Sequence, residues 1–183
     1  MIANIGLTGL NAAGKGVVSG ILAGHGYSLF SLSDVVREEA RRLGRGVTRA
    51  ELILTGNAMR AAGGPGVLAE RIIGRLQEWS VIDSIRNPAE VAVLRGVPGF
   101  RLLGVQAPAA VRFERMRRRG RLGDAVTLER FMELEVQDNS NDAAGLQIQA
   151  CLALADAVID NNGPLADLEE CVRRFCGLGF VKE

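Results

Sequence analysis

A glycine-rich segment near the start of the chain, Gly9 to Gly16, constrains the fold more than any other feature. It reads G-L-N-A-A-G-K-G. The apolar run Ile2–Thr8 before it predicts a buried strand, and the pattern over Lys15–Ala23 after it predicts a helix. A glycine turn between a strand and a helix points backbone N–H groups inward, and the helix N-terminus adds partial positive charge. The segment therefore predicts an anion site.

The lysine in this turn predicts that the anion is a nucleotide phosphate. The spacing G-x-x-x-x-G-K fits the Walker A pattern, in which the lysine reaches the outer phosphates. Lys15 is one of only two lysines beside twenty arginines, which favours a site that needs a compact ammonium group. The predicted ATP-binding residues of the turn are Gly9, Leu10, Asn11, Ala12, Ala13, Gly14, Lys15, Gly16 and Val17.

Two alternatives to a phosphate loop are open. One is a glycine-rich turn that carries a lysine by chance. The other is a dinucleotide-binding loop, which needs G-x-G-x-x-G and an acid at the end of the second strand. Gly6, Gly9 and Gly14 lack that spacing, and Ser31 and Ser33 stand where the acid belongs, so the phosphate loop is the better interpretation.

The residue after the lysine departs from the Walker pattern. Gly16 stands where a serine or threonine hydroxyl would ligate Mg²⁺. Magnesium is then held by phosphate oxygens, waters and nearby carboxylates, an arrangement common for this ion. The predicted metal residues are Asp83 and, through water, Asp34.

Short apolar runs alternate with helical patterns along the whole chain. The predicted strands are Ile2–Thr8, Tyr27–Leu32, Val81–Ile85, Phe100–Gln106 and Ala157–Asp160. Buried strands separated by helices predict an α/β fold with a parallel sheet covered by helices on both faces. The phosphate site is then expected at the carboxyl ends of the strands.

Capping patterns predict where several helices begin. Ser31 with Asp34, and Thr48 with Glu51, form capping boxes, while Asn87, Pro88 and Glu90 supply an N-cap, a proline at the first helical position and a carboxylate at the third. These helices are predicted to run to about Leu43, toward Ala61 and onward from Pro88. The other predicted helices are Val67–Trp79, Pro108–Arg119, Thr127–Gln137, Leu146–Leu154 and Pro164–Cys176.

Composition excludes several classes of protein. With 48% hydrophobic residues, 23% charged residues and a net charge of +1, the chain is typical of a globular protein and lacks the basic excess of a nucleic-acid binder. No apolar run approaches the roughly 20 residues of a membrane span. We expect one domain over residues 1–183, a cytoplasmic location, reduced thiols at the three cysteines, and a monomer or weak dimer.

An ordered series of motifs points to a family. The segments GLNAAGKG, SLSDVVREE, GNAMR, VIDSIRNPAEV, APAAVRFERMRRRGRLGD and ADAVIDNNG resemble the nucleoside monophosphate kinase and dephospho-CoA kinase branch of P-loop proteins. They are especially similar to a nucleotide-kinase-like group, some members of which are joined to deoxycytidylate deaminase domains. The resemblance spans about residues 2–175. It implies a three-layer P-loop NTPase fold of five parallel strands, ATP and Mg²⁺ as cofactors, and a small helical lid over about residues 115–142.

The resemblance also implies residue roles on the acceptor side. Asp34 and Arg37 match the acid and arginine at the start of the acceptor-binding helix, Arg86 matches an acceptor-contacting arginine, and Asn57 and Arg60 line the acceptor side. The structural alternatives are helix capping for Asp34, a solvated helix face for Arg37 and a surface salt bridge for Arg86.

Further implied roles concern the transferred phosphoryl group. Asp83 matches the Walker B-like acid of the third strand, although a structural hydrogen-bonding role is also open. The run Arg112, Arg115, Arg117, Arg118, Arg119 and Arg121 matches the lid. Arg115, Arg119 and Arg121 are the catalytic choices, and Asp124 could orient one of them. The alternative is a solvated basic helix, which is the better interpretation of Arg117 and Arg118. Asn161 and Gly163 match part of the adenine pocket, or belong to an ordinary turn.

The function that these motifs favour is transfer of phosphate from ATP to a small nucleotide, a (deoxy)nucleoside monophosphate. One alternative is a dephospho-CoA kinase-like hydroxyl kinase, with Asp34 as the base. Another is a nucleotide-binding regulator without turnover, which Gly16 keeps open. Two departures from the family patterns leave the acceptor undecided. Val17 follows G-K-G, and the segment from Asp83 to Pro88 reads D-S-I-R-N-P in place of D-G-F-P-R.

Overall fold

A computed structural model describes the chain at residues 3–120, 127–137, 139 and 142–178. Its strands are β1 (Asn4–Thr8), β2 (Ser28–Ser31), β3 (Ser80–Ile85), β4 (Phe100–Gln106) and β5 (Ala157–Asp160). They form one sheet in the order β2-β3-β1-β4-β5, and every neighbouring pair is parallel. The predicted five-stranded parallel sheet is confirmed.

Nine helices are described. They are α1 (Lys15–Gly24), α2 (Leu32–Arg42), α3 (Arg49–Gly63), α4 (Val67–Ile73), α5 (Pro88–Leu94), α6 (Ala109–Arg119), α7 (Leu128–Gln137), α8 (Ile148–Ala153) and α9 (Leu165–Cys176). The capping boxes Thr48–Glu51 and Asn87–Glu90 are both present. None of the described helices is long and apolar enough to span a bilayer.

Two helix predictions need correction. The helix predicted over Val67–Trp79 ends at Ile73, because Gly74 caps it and the backbone turns there. Ser31 does cap α2, by accepting from the backbone N–H of Ser33. Asp34, the expected second half of that capping box, instead accepts from the Arg37 guanidinium three residues on.

The sheet is packed on both faces, as its apolar strands require. Ile82, Ile85 and Leu102 belong to a core cluster that also holds α2, α4 and α5 side chains. Leu7 and Leu103 belong to a second cluster, together with α1 and α9 side chains. Because Leu102 and Leu103 are adjacent, β4 contributes to both clusters through the two-residue alternation of a strand.

The three cysteines are free thiols within this core and its edge. Burial raises the pKa of Cys151 to about 12 and that of Cys176 to about 11. Both are therefore neutral side chains at ordinary pH that pack like small hydrophobic residues.

The order of the strands locates the site. β1 lies between β3 and β4, so the chain connections leave β1 toward one side and β3 toward the other. In open parallel sheets the crevice at such a reversal, beyond the carboxyl ends of the strands, is where ligands bind. The glycine-rich loop follows β1 directly into that crevice.

Candidate functional site

Side-chain donors hold the carbonyl groups of the glycine-rich loop. Lys15 Nζ donates to the carbonyl oxygens of Gly9 at 2.6 Å and Leu10 at 3.0 Å. Arg112 Nη1 donates to the Asn11 carbonyl at 3.3 Å, and Asn161 Nδ2 to the Ala13 carbonyl at 2.8 Å. In a planar trans peptide the N–H points opposite to the C=O. These contacts therefore turn the N–H groups that follow each carbonyl away from the donors, as an anion nest requires.

Backbone conformation explains why glycine occupies two loop positions. Gly9 has φ 142° and Gly14 has φ 110°, values that side-chain-bearing residues rarely adopt. A Cβ at Gly9 would clash with the Val105 carbonyl oxygen, and one at Gly14 with Asn161 Nδ2. Ala12 also has a positive φ, 59°, which marks a local conformation that the surrounding contacts impose.

The ammonium of Lys15 lies at the centre of the charges in this crevice. Burial lowers its pKa from 10.5 to about 8; the Asp83 carboxylate opposes that shift, and the guanidinium groups of Arg86, Arg112 and Arg119 reinforce it. All four groups are thus close enough to act on Lys15 electrostatically. The structure therefore brings Asp83, Arg86 and Arg119, three residues predicted from the sequence, to the same end of the sheet as the loop.

Besides Arg112, two further arginines of α6 reach the loop directly. Arg115 Nη1 lies 3.5 Å from the Ala13 carbonyl oxygen, and Arg119 Nη1 lies 3.4 Å from Asn11 Oδ1. Arg117 and Arg118 are exposed on the same helix, as expected for a solvated face. Arg121 and Asp124, the remaining predicted lid residues, lie outside the described part of the chain.

Arg112 is a site residue that the sequence analysis did not select. Its side chain is buried, and its Nε donates to the Ala107 carbonyl at 2.8 Å. Both terminal nitrogens donate to the Glu135 carboxylate of α7, and the guanidinium lies 5.3 Å from the centroid of the Phe131 ring. Arg112 thus joins α6, α7 and the loop. The run of arginines pointed to α6, but no sequence pattern pairs Arg112 with Glu135.

The acceptor-side residues of α2 form a hydrogen-bonded group with β3. Arg37 Nη1 donates to Asp34 Oδ1 at 2.6 Å and to Ser33 Oγ at 3.2 Å. The Ser33 hydroxyl lies 3.3 Å from the Ser84 hydroxyl, which also accepts from Ser31 at 3.2 Å. Asp83 Oδ1 accepts from the Ser84 N–H at 2.5 Å. Asp34 and Arg37 therefore lie on the Asp83 side of the crevice, and the three serines were not selected from the sequence.

The structure corrects the predicted role of Arg60. It was expected to line the acceptor side, but its guanidinium is 3% exposed and its Nε and Nη2 both donate to Glu90 Oε1. Glu90 Oε2 accepts from the backbone N–H groups of Arg86 and Asn87. A buried charge of this kind is stable only when it is paired, so Arg60 supports the start of α5. Asn57 lies against Arg60, with its Oδ1 3.5 Å from Arg60 Nη1.

Asn161 also differs from its predicted role in the adenine pocket. Its side chain is buried and supports the loop through Ala13 and Gly14. Its backbone N–H donates to the Gln106 carbonyl at 2.7 Å, which fixes it at the end of β4. Asn162 and Gly163 follow on the surface.

The loop residues fit a polyphosphate. A Cβ built at Gly16, in the first turn of α1, meets no atom within 4 Å, so the space beside this turn is open. For a metal, the described residues contain no group of three or more His, Cys, Asp or Glu side chains that could hold an ion. Among the described groups that act on Lys15, Asp83 is the only carboxylate. One carboxylate fits Mg²⁺ only when phosphate oxygens and waters complete the metal's shell.

Comparison with known proteins finds relatives along nearly the whole chain. A UPF0200 protein of Methanothermobacter thermautotrophicus is 36% identical over 178 residues, which are 93% of this chain and 87% of that protein. A UPF0200 protein of Hyperthermus butylicus is 33% identical over 173 residues, 92% of this chain and 90% of that protein. No protein-family model matches the chain.

Solved structures agree on the fold. A shikimate kinase from Bacteroides thetaiotaomicron has a TM-score of 0.64 at 15% identity, over 96% of this chain and 97% of that one. TT1252 from Thermus thermophilus has a TM-score of 0.61 at 24% identity, over 95% of this chain and 96% of that one. A gluconokinase from Sinorhizobium meliloti has a TM-score of 0.53 at 16% identity, over 96% of this chain and 94% of that one. The chain therefore has a P-loop kinase-like α/β fold.

Proposed function

Because the chain belongs to the UPF0200 family and has a P-loop kinase-like fold, we propose that it is an ATP-dependent phosphotransferase acting on a small nucleotide, a (deoxy)nucleoside monophosphate. The observation that carries the proposal is the convergence on one loop of three cationic side chains besides Arg112, which pairs with Glu135. Lys15 comes from the loop itself, while Arg115 and Arg119 come from α6. Such a set suits stabilisation of charge during phosphoryl transfer as well as simple binding.

The phosphate donor would be held by the loop. Lys15 and the loop N–H groups bind its outer phosphates, and bound ATP with Mg²⁺ supplies the reactive γ-phosphoryl group. Asp83, whose charge acts on Lys15, would hold a water of the metal shell. Arg115 and Arg119 spread the negative charge that develops on the transferred group.

The acceptor would lie on the α2 side of the crevice. Arg37 is 38% exposed as a side chain, and a guanidinium there can bind an acceptor phosphate through two parallel hydrogen bonds. Arg86 directly follows β3, and its charge reaches Lys15. A phosphate-bearing acceptor is favoured because both residues are cations.

A second candidate is a hydroxyl kinase of the dephospho-CoA type. It is supported by Asp34, whose side chain is 63% exposed in the first turn of α2 and could accept a hydroxyl proton. In this case Arg37 stays on Asp34 Oδ1, and Oδ2 is the oxygen that accepts the proton.

The deciding experiment measures ADP release from ATP across ribo- and deoxynucleoside monophosphates and dephospho-CoA. The proposal expects stimulation by at least one monophosphate, lost by about 100-fold or more in Lys15→Ala. Arg118→Ala, an exposed arginine on α6, is the matched control and should retain turnover. Stimulation by dephospho-CoA alone would favour the hydroxyl kinase. Tight ADP binding with no accepted substrate would favour a regulator and overturn the proposal.

A further inference from the structure

Ser84 has a backbone conformation that a serine rarely adopts. Its φ is 66°, in the left-handed region that glycine adopts without penalty. The residue follows Asp83 in β3, and the Ser84 side chain is buried, with 8% of the residue exposed. A non-glycine residue in this region persists only when its surroundings over-determine it. The question is therefore what the hydroxyl does at that point.

The hydroxyl of Ser84 contacts two serines at the start of α2. It accepts from Ser31 Oγ at 3.2 Å and shares a hydrogen bond with Ser33 Oγ at 3.3 Å. The hydroxyl oxygens of Ser31 and Ser33 are themselves 2.8 Å apart. Because Ser31 is the cap of α2 and pairs in register with Asp83, this contact fixes the start of α2 against the end of β3.

The same contacts connect Asp83, a predicted metal residue, with Arg37, a predicted acceptor-binding residue. On one side the Ser84 N–H donates to Asp83 Oδ1 at 2.5 Å. On the other, Ser33 Oγ accepts from Arg37 Nη1 at 3.2 Å. A path of contacts thus runs from the acid near Lys15, through the backbone and side chain of Ser84 and the hydroxyl of Ser33, to the arginine on the acceptor side.

We propose that Ser84 is a positioning residue, which holds Ser33 and Arg37 at a fixed distance from Asp83 so that the acceptor meets the donor phosphate in line. The inference rests on the proposed function and adds to it a specificity-determining contact. Ser84 acts through Arg37 and does not itself touch the reacting atoms. It differs from a purely structural residue because its loss changes acceptor binding more than folding or ATP binding.

Two substitutions separate the hydroxyl from the backbone. Ser84→Gly removes the hydroxyl and suits the positive φ, so its thermal stability should equal or exceed that of the parent protein. Ser84→Ala removes the hydroxyl but keeps the Cβ in the left-handed region. If the hydroxyl positions Arg37, both variants should raise KM for the fastest monophosphate of the panel by about fivefold to tenfold, with KM for ATP changed less than twofold.

The double variant Ser84→Gly with Arg37→Ala tests the path itself. A residue that acts through Arg37 adds little once Arg37 is gone, so the double variant should have the acceptor KM of Arg37→Ala alone. Ser28→Ala, at the opposite end of β2, is the control and should leave both KM values unchanged. An unchanged acceptor KM in Ser84→Gly would overturn this inference but not the proposed function. The same holds if the effects of Ser84→Gly and Arg37→Ala on acceptor KM are fully additive. No phosphorylation of any monophosphate by the parent protein would overturn the proposed function and this inference together.

Discussion

The side-chain amide of Asn161 donates to the carbonyl oxygen of Ala13 over 2.8 Å, across 148 positions of sequence. The residue that follows the last strand therefore supports the loop that follows the first. Gly14 lies directly beside the same amide, where any side chain would clash with it. The shape of the glycine-rich loop thus depends on the sheet edge at β4 and β5 as well as on its own glycines.

Replacing Asn161 with alanine should loosen the loop. The Ala13 carbonyl would lose its best-placed donor, at a cost in unfolding free energy of about 1–3 kcal/mol. ADP binding should lose a comparable amount of free energy, because the loop must be reordered when ADP binds. Asn162→Ala, one residue on and exposed, is the matched control. Equal ADP dissociation constants for the two variants, measured by calorimetry, would show that Asn161 does not support the loop.

Loss of Glu135 should destabilise the protein through Arg112. Arg112 is 5% and Glu135 13% exposed as side chains, so Glu135→Ala leaves a buried guanidinium short of its partner. Such changes cost about 3 kcal/mol. Glu133 on the same helix pairs with Arg130 at the surface, and Glu133→Ala should cost less than about 1 kcal/mol. Urea denaturation of both variants compares these values, and a smaller loss for Glu135→Ala would contradict the structural role of the pair.

Nucleotide binding should take up a proton in mildly alkaline solution. Burial lowers the pKa of Lys15 to about 8 in the ligand-free protein, and a bound phosphate favours the charged ammonium and raises that pKa again. Uptake is therefore expected above about pH 8 and should fade below it, where Lys15 is already protonated. Calorimetry of ADP binding at pH 9 and pH 7, in buffers of different ionisation enthalpy, measures the number of protons.

The same shift has a defined effect on stability. Between about pH 8 and 10.5 the unfolded chain, with Lys15 near 10.5, binds more protons than the native protein, so this group makes native stability rise with pH in that window. Lys15→Arg serves as the control for both measurements, since guanidinium stays charged throughout. Proton uptake at pH 9 that persists in Lys15→Arg would assign the effect to another group.

Serine at position 16 should restore a metal contact. A Cβ there meets nothing within 4 Å, so Gly16→Ser fits without displacing a neighbour and supplies the hydroxyl missing from the loop. One added contact of about 1 kcal/mol would lower the Mg²⁺ concentration for half-maximal ADP binding about fivefold. Gly20→Ser, equally open on α1, gains the same helix propensity and should leave the metal dependence unchanged. The same Mg²⁺ requirement in both variants would contradict a metal position beside Gly16.

Local patterns determined the parts of this protein that depend on neighbouring residues. The strand before Gly9 and the helix after Lys15 follow from apolar periodicity and backbone freedom. The sheet class follows from short apolar strands alternating with helices. The start of α5 follows from Asn87 and Glu90, whose side chains need only reach backbone N–H groups within one turn.

Long-range contacts decided the rest. No residue near Arg60 in the sequence indicates that its guanidinium will form a buried ion pair with Glu90. Likewise, no residue near Arg112 indicates that it will pair with Glu135 of α7. Both arginines carry the same charge as Arg115, so residue type alone could not show which guanidinium groups form buried ion pairs. The difference is made by which helices pack together, because a guanidinium in the interior is tolerated only where another element supplies a carboxylate.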